Sequence, residues 1–443
     1  MLGEYMITGR RASEISASVE AGVGSEELAP GAVLPPMREL AARLGVNPNT
    51  VAAAYRSLRE RGVIETDGRR GSRVRTRPAS TLHGSIRAHV SPGVRDVSSG
   101  NPDPTLLPDL SGALAAAARR HAARPALYGE GAVLPELATL AGEGLEADGV
   151  PVGKIAVTSG ALDAVERVLA AHLRPGDAVA VEDPGWGALL DLVPALGLRL
   201  EPVAIDEEGP LPEAVEGALR RGARALVVTD RAQNPSGGAL SEARAEVLRG
   251  VLAGHRETLV IDDDNGHAIS SVPLHSLCGA TRHWVLVRST AKVLGPDLRL
   301  AVLTGDAVTV DRVSGRQQLG QGWVSKLLQY TVVDLWATRA VDPVAVARSY
   351  DGRREGLVAA LRERGVPAVG RTGMNVWVPV PEETGTTTRL LAAGWAAAPG
   401  ARFRTRASPG LRLTVSSLQQ REVEELAAAV ALATGPLPGL RFG

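Results

Sequence analysis

Short apolar runs and helical stripes alternate along most of the chain. IAVTS, AVAVED, ALVVTD, LVIDDD and WVLVRS are β-rich runs bounded by Gly, Asp or Pro. Between them, ALDAVERVLAAHL, WGALLDLVPALG and LSEARAEVLRGVLAG repeat apolar positions at helical spacing. Strand then helix, repeated, predicts an α/β fold with a mostly parallel sheet covered on both faces. From about Asp342 the pattern changes. A helix (PVAVARSYDGRREGLVAALRERG), a few strands and a final helix (QQREVEELAAAVALATG) predict a smaller α+β lobe.

The first 77 residues follow another pattern. Pro35-Pro36 precedes MRELAARLG, a short helix that Gly45 ends. Asn47 then caps, and Pro48 opens, a second helix that runs to Gly62. VIET and SRVR, joined by DGRRG, predict a hairpin. Two helices, a turn and a hairpin make a winged helix-turn-helix. Val51, Ala54, Tyr55 and Leu58 fall at i, i+3, i+4 and i+7, which makes them its buried face. Asn47, Asn49 and Thr50 lie at the start of the second helix, where short hydrogen-bonding groups meet base edges. Arg38 on the first helix, and Arg69, Arg70 and Arg73 on the hairpin, suit phosphates or a minor groove. Residues 78–97 are polar and without period. They predict a linker between a DNA-binding domain (1–77) and a larger domain (98–440).

Charge sharpens this picture locally and nowhere else. Over 443 residues, 49 basic and 49 acidic side chains cancel, so no global field draws the protein to nucleic acid or membrane. Residues 38–77, however, hold ten arginines against four acids. That excess fits a phosphate backbone, although charge alone fits a solvated face equally well. The single cysteine, Cys278, excludes an internal disulfide framework and a Cys-rich zinc site, and predicts a reducing cytoplasm. No apolar run approaches the roughly 20 residues of a membrane span. The start, MLGEYMITGRR, lacks a signal peptide's apolar core. No metal site is predicted. The only lysines are Lys154, Lys292 and Lys326, so lysine chemistry has three candidates.

Lys292 sits in RSTAKVLGPDLRLAVLTG, with Ser289 three residues before it and Arg299 seven after. A lysine that condenses with an aldehyde must be neutral part of the time, which burial favours. A phosphate beside it needs a hydroxyl and an arginine fork. An isolated S-x-x-K is ordinarily a surface lysine, so the other segments decide. VTSGALDAVERVL places Ser159 and the amides of Gly160, Ala161 and Leu162 at a helix N-terminus, an anion cradle. VEDPGWGA puts Trp186 where an indole stacks on a flat ring or simply packs. RAQNPSGGAL offers Asn234 as a donor to a phenolate oxygen, or as turn chemistry. LVIDDDNG ends with three acids, one of which could hold a protonated ring nitrogen. A solvated strand end or a divalent cation would explain them as well. Arg412, within LRLTVSS, requires a carboxylate from the protein or a ligand if buried.

LPPMRELAARLGVNPNTVAAAYRSLRERGVIETDGRRGSRV resembles the winged helix-turn-helix of the GntR superfamily of bacterial regulators. Many members place an arginine where this chain has Pro48, so the operator sequence is not carried over. Residues 98 to 440 resemble the fold-type I aminotransferases, which bind pyridoxal 5′-phosphate (PLP). That resemblance implies Lys292 as the internal aldimine lysine and Asp263, or Asp262 one residue away, as the ring-nitrogen partner. It implies Asn234 at the ring oxygen and Trp186 stacked on the ring. Ser159, Gly160, Ala161, Ser289 and Arg299 would hold the phosphate. Arg412 would take an amino acid carboxylate, and Tyr128 in YGEGA would reach the phosphate of the partner subunit. The family usually has a tyrosine two or three residues after the ring-nitrogen aspartate. Asn265 stands there instead, which puts efficient transamination in doubt more than cofactor binding. Both halves in this order resemble the MocR/GabR regulators. The implied function is ligand-controlled binding of double-stranded DNA by a cytoplasmic homodimer, an amino acid or amine effector acting through aldimine exchange at Lys292. Two other readings remain at this point: an active aminotransferase with a DNA-binding appendage, and a DNA-binding regulator whose large domain only dimerises.

Overall fold

The computed structural model describes residues 5–24, 27–29, 31–60, 63–66, 71–74 and 93–435. In the N-terminal region a helix, Met37–Leu44, ends at Gly45, whose N–H closes on Ala42 O. A second helix, Pro48–Glu60, begins after Asn47, whose Oδ1 accepts from Asn49 N at 2.8 Å. Strands β1 (Ile64–Thr66) and β2 (Ser72–Val74) pair antiparallel, Ile64 opposite Val74. The winged helix-turn-helix is therefore formed as the spacing predicts. Gly62 and the hairpin positions Arg69 and Arg70 lie outside the described residues. A further helix, Ala12–Gly24, completes the unit by burying Ile15 and Val19 against the Pro48–Glu60 helix. Its run of Ser, Gly and Ala gives it a weak stripe, so its stability comes from this contact rather than from propensity.

Val51, Ala54, Tyr55 and Leu58 are all buried in that core. The Tyr55 hydroxyl donates to Pro35 O at 2.8 Å, and burial pushes its pKa up. Tyr55 is thus core, not a base-stacking ring. Tyr55→Phe is expected to cost about 1–2 kcal/mol, because it strands the buried Pro35 carbonyl. Chemical denaturation of the full chain would measure it.

The C-terminal region opens with β3 (Arg95–Asp96). Its large sheet contains β4 (Ile155–Thr158), β5 (Ala178–Asp183), β6 (Arg199–Asp206), β7 (Gly209–Pro210), β8 (Ala223–Thr229), β9 (Leu259–Asp264), β10 (His283–Ser289) and β11 (Ala301–Gly305). The strand order is β4-β11-β10-β9-β8-β5-β6-β7. β8, β9 and β10 run parallel, and β11 runs antiparallel to both β10 and β4. The sheet is thus mixed at this edge. Helices Ala161–His172, Gly187–Ala195 and Glu242–Ala253 follow the strands as the helical stripes predict.

The smaller lobe has a sheet of β12 (Asn375–Pro379), β14 (Ala398–Pro399) and β15 (Gly410–Thr414), in the order β12-β15-β14. β13 (Trp395–Ala396) lies parallel to β3. Helices Pro343–Glu363 and Glu422–Thr434 cover the lobe, burying Leu357, Leu361 and Leu426 with Val376 and Leu413. Residues 95–97, assigned to the linker by composition, are here tied into this lobe by strand pairing. Among the described residues, no helix is long and apolar enough to cross a membrane.

Candidate functional site

The C-terminal ends of the central strands surround a cavity of about 280 Å³, the expected ligand position for an open α/β sheet. Lys292 enters it from a one-turn helix, Ala291–Leu294, that directly follows β10. Its Nζ donates to Gly100 O at 2.8 Å. Burial, helped by the positive Arg412 and opposed by Asp263, lowers its pKa to about 8. The amine is therefore partly neutral near physiological pH, as condensation with an aldehyde requires. Below pH 8, capture of PLP by the protein should speed up about tenfold per pH unit, then level off above it. Stopped-flow absorbance checks the break point.

The three acids of β9 do not act together. Side chains alternate along a strand, so Asp263 faces the cavity while its neighbours face elsewhere. Asp262 accepts from Leu277 N at 3.0 Å and Cys278 Sγ at 3.4 Å. Asp264 is gripped by Arg231 and Arg288, each at 2.8 Å, and Arg231 and Arg288 pull its pKa down to about 2 against its burial. All three are buried, which removes the solvated strand end as an explanation. Among the described residues, the one cluster with metal-ligand spacing, Asp148, Asp264 and His267, has its carboxylates occupied by these two arginines. It is a structural ion network.

Asp263 is different. Its Oδ1 is buried with no hydrogen-bond partner among the described residues, and Asn265 Nδ2 lies a long 3.5 Å from Oδ2. Burial, with Asp264 and Glu182 adding and Asn265 and Lys292 opposing, raises its pKa to about 7. Such an orphaned acceptor fits a ligand that brings a proton on nitrogen. Asn265, which lines the cavity in place of the usual tyrosine, reaches only this acid.

Arg412 projects from β15 into the same cavity. It is buried, and its Nη1 donates to Asn234 Oδ1 at 3.0 Å while Nη2 donates to Ser98 O. Its Nε has no partner among the described residues. Burial, then nearby Arg402, with Asp96 opposing, lowers its pKa to about 10. The carboxylate that a buried arginine was expected to meet is not among the described residues bonded to it; carbonyl oxygens stand in. That leaves it ready for an anionic ligand. Among the described residues, no hydrogen bond is made by the Asn234 amide NH₂, which stands at the cavity. Trp186, half-buried on the turn after β5, lines the cavity too.

The segment expected as an anion cradle lies where the helix Ala161–His172 begins, and of its residues Ala161 and Leu162 line the cavity while Ser159 and Gly160 do not. Gly160 has φ 95° there, and a Cβ on it would come within 2.6 Å of Arg299 Nη2. Only glycine lets the guanidinium approach this closely. Arg299 donates to Ser159 O at 2.9 Å. Ala161, Leu162, Ser289 and Arg299 line the cavity. Ser159 gives its N–H to Asp163 and accepts from Gln321 Nε2 at 2.7 Å. Gln321 was not anticipated, since a lone glutamine in a loop carries no signal. Tyr128 is not brought to this cavity: it is 93 % exposed and rests edge-on against Trp323.

In the N-terminal unit, Arg38, Asn47 and Asn49 are exposed, and Thr50 and Arg73 partly so. Asn47 has spent its Oδ1 on the helix cap, leaving its NH₂ to give. Arg56 is exposed two turns along from Asn49, on the same helix face. It was hidden in the sequence by the count of arginines around it.

The residues fit PLP: an orphaned acid for the ring nitrogen, a glycine-bounded cradle for the phosphate, and a partly neutral lysine between. Comparison with known proteins agrees. Residues 11–74 match the family of bacterial regulatory proteins of gntR type, and residues 96–430 match aminotransferase class I and II. The chain is 40 % identical over 435 residues to the vitamin B6 salvage pathway transcriptional repressor PtsJ of Salmonella typhimurium, covering 96 % of this chain and 99 % of that one. It is 29 % identical over 289 residues to the HTH-type pyridoxine biosynthesis transcriptional regulator PdxR of Corynebacterium glutamicum, covering 62 % of each. Among solved structures, the α-aminoadipate aminotransferase LysN of Thermus thermophilus, bound to N-(5′-phosphopyridoxyl)-L-leucine, aligns with a TM-score of 0.69. It has 22 % identity and covers 81 % of this chain and 96 % of that one. That last likeness concerns the fold.

Proposed function

The chain belongs to the MocR-type transcriptional regulators, a GntR winged helix-turn-helix joined to an aminotransferase class I and II domain, and from this we propose that it controls vitamin B6 metabolism by binding DNA in response to PLP held at Lys292. The observation that carries this reading is the convergence of Lys292, the orphaned Asp263 and the glycine-bounded Arg299 cradle on one cavity. Two relatives named for vitamin B6 regulation give it its direction. When bound, PLP supplies an aldehyde that joins a primary amine, with Lys292 as that amine and an incoming amino acid or amine as its rival. The chain's own part is to present a partly neutral Lys292, hold a proton between Asp263 and the ring nitrogen, and clamp the phosphate with Arg299. Arg412 would orient an effector carboxylate. The reading places the protein in the cytoplasm as a homodimer, with two winged domains engaging two half-sites.

The test uses the full chain and DNA from the promoter regions flanking its gene. PLP is titrated while absorbance reports capture and a fluorescent duplex reports DNA affinity. PLP should change the affinity at the same concentration at which it colours the protein. Colour without any change in DNA affinity would defeat the sensing claim. Steady keto-acid release from common amino acids would favour the enzyme reading. In the same assay Arg38→Ala and Arg56→Ala should each lower the slope of log affinity against log salt by about 0.9, one phosphate contact apiece.

A further inference from the structure

The chain from the N-terminal domain enters the C-terminal domain along residues 93–101, and this entry stretch finishes on two residues of the cavity. Its outer end is bolted to the small lobe. Arg95 N donates to Gly394 O and Val97 N to Ala396 O, both at 2.9 Å, while Thr414 N donates to Val97 O at 2.8 Å. The Arg95 guanidinium lies 3.6 Å over the Trp395 ring and pairs with Glu425. Asp96 Oδ1 then closes a turn by accepting from Ser98 N at 2.8 Å and Ser99 N at 3.2 Å.

The inner end crosses the cavity. Ser98 O accepts from Arg412 Nη2, and Gly100 O accepts from Lys292 Nζ at 2.8 Å. Gly100 itself lines the cavity, and a Cβ there would crowd Arg412 Nη1 at 3.3 Å. So the amine and the guanidinium assigned above to ligand are both donated to the main chain of one strap. Both bonds have charged donors, the strong class of hydrogen bond, Arg412 buried and Lys292 half-buried. Any ligand of Lys292 or Arg412 must compete with these carbonyls.

We propose that residues 97–101 form a ligand-released strap: Lys292 and Arg412 hold it by the Gly100 and Ser98 carbonyls, and an aldehyde on the lysine with a carboxylate on the arginine frees it. Condensation joins the lysine nitrogen to the aldehyde carbon, expels the aldehyde oxygen as water, and removes the hydrogens that nitrogen gave to Gly100. A carboxylate, charged where Ser98 O is neutral, takes the guanidinium. The strap keeps its outer bolts at Arg95 and β13, so release slackens the segment at which the chain leading from the DNA-binding domain is anchored. Occupancy of the cavity thereby reaches that chain through covalent connectivity. The inference rests on Lys292 and Arg412 being the ligand groups.

Hydrogen–deuterium exchange of the full chain tests it, with PLP uptake read by absorbance in the same sample. With PLP, the amides of residues 98–101 should exchange about tenfold faster, the order expected for loss of one charge-assisted bond. Propionate, a carboxylate without an amine to displace Lys292, added to the PLP-loaded protein should raise exchange further at the same residues. No uptake of PLP would defeat the ligand assignment itself. Uptake with unchanged or slower exchange at 98–101 would overturn the strap while sparing that assignment. Arg95→Ala, which loosens the outer bolt, should keep PLP uptake and lose at least about half of the PLP-dependent change in DNA affinity. A full response in that variant would overturn the transmission.

Discussion

Lys292→Ala should leave the protein unable to fix vitamin B6 covalently. After incubation with PLP and reduction by borohydride, peptide mass spectrometry should find pyridoxyl on Lys292 of the unmodified protein and nowhere in the variant. The other two lysines offer no substitute. Lys154 is largely exposed and paired with Asp311 at 2.6 Å. Lys326 is buried, but it donates to Gly131 O at 2.6 Å and does not line the cavity. Neither stands near Asp263 and Arg299, so neither gains a held cofactor as partner. The effect is the largest of any single substitution, because it deletes the bond and not a contact that supports it. PLP should still dock weakly through the Arg299 cradle and Asp263, and be removed by gel filtration. The PLP-dependent change in DNA affinity should vanish, while binding of the winged domain without PLP stays within about twofold, since that unit is built from its own core. Pyridoxyl on Lys154 or Lys326 would contradict the assignment.

Much of the architecture is written in the chain because its causes are local. IAVTS, AVAVED, ALVVTD, LVIDDD and WVLVRS became β4, β5, β8, β9 and β10 since each apolar run meets a breaker at both ends. The same holds for Asn47-Pro48, where cap and first helical residue are both fixed by side-chain chemistry. β6 was not read, because RLEPVAID interleaves charge and proline with its apolar residues. Nor was β11, whose residues AVLTG were absorbed into the lysine motif although they pair with β10 and β4. The Ala12–Gly24 helix escaped because tertiary contact, not its own pattern, makes it.

The site was legible as a set of residue types and illegible as geometry. A run of three aspartates has no apolar–polar alternation, so its register stayed open between Asp262 and Asp263 until the neighbouring strands fixed it. β8 and β10 set Asp263 opposite Thr229 and Val287, and so set which carboxyl faces inward. Arg412 was expected to meet a carboxylate from the protein or from a ligand, and among the described residues it meets Ser98 O and Asn234 Oδ1. A main-chain carbonyl is the same in every residue, which is why no sequence pattern announces the strap. Arg231 and Arg288, which neutralise Asp264, come from two different strand ends and were equally unannounced.

Asp263→Asn should move stability and cofactor affinity in opposite directions. The carboxyl titrates near 3.9 in an unfolded chain and near 7 in the folded one, chiefly through burial. A raised folded pKa means the folded state binds the extra proton between those values. Stability is therefore lost as pH climbs from about 4 to about 7, and the penalty stays constant beyond. Three pKa units correspond to about 4 kcal/mol at most. Asparagine carries no charge to bury, so protein stripped of PLP should unfold at a higher temperature than the unmodified chain at pH 8. The gap should close toward pH 4. With PLP the order reverses in binding. The ring nitrogen's proton loses an anionic partner, and a hydrogen bond between charged groups accounts for about tenfold to hundredfold in affinity. Thermal unfolding of the stripped proteins at pH 5 and pH 8, beside PLP titrations at pH 8, separates the two effects. A variant less stable than its parent at pH 8 would mean that Asp263 is paired inside the protein, and the ring-nitrogen role would fall with that result.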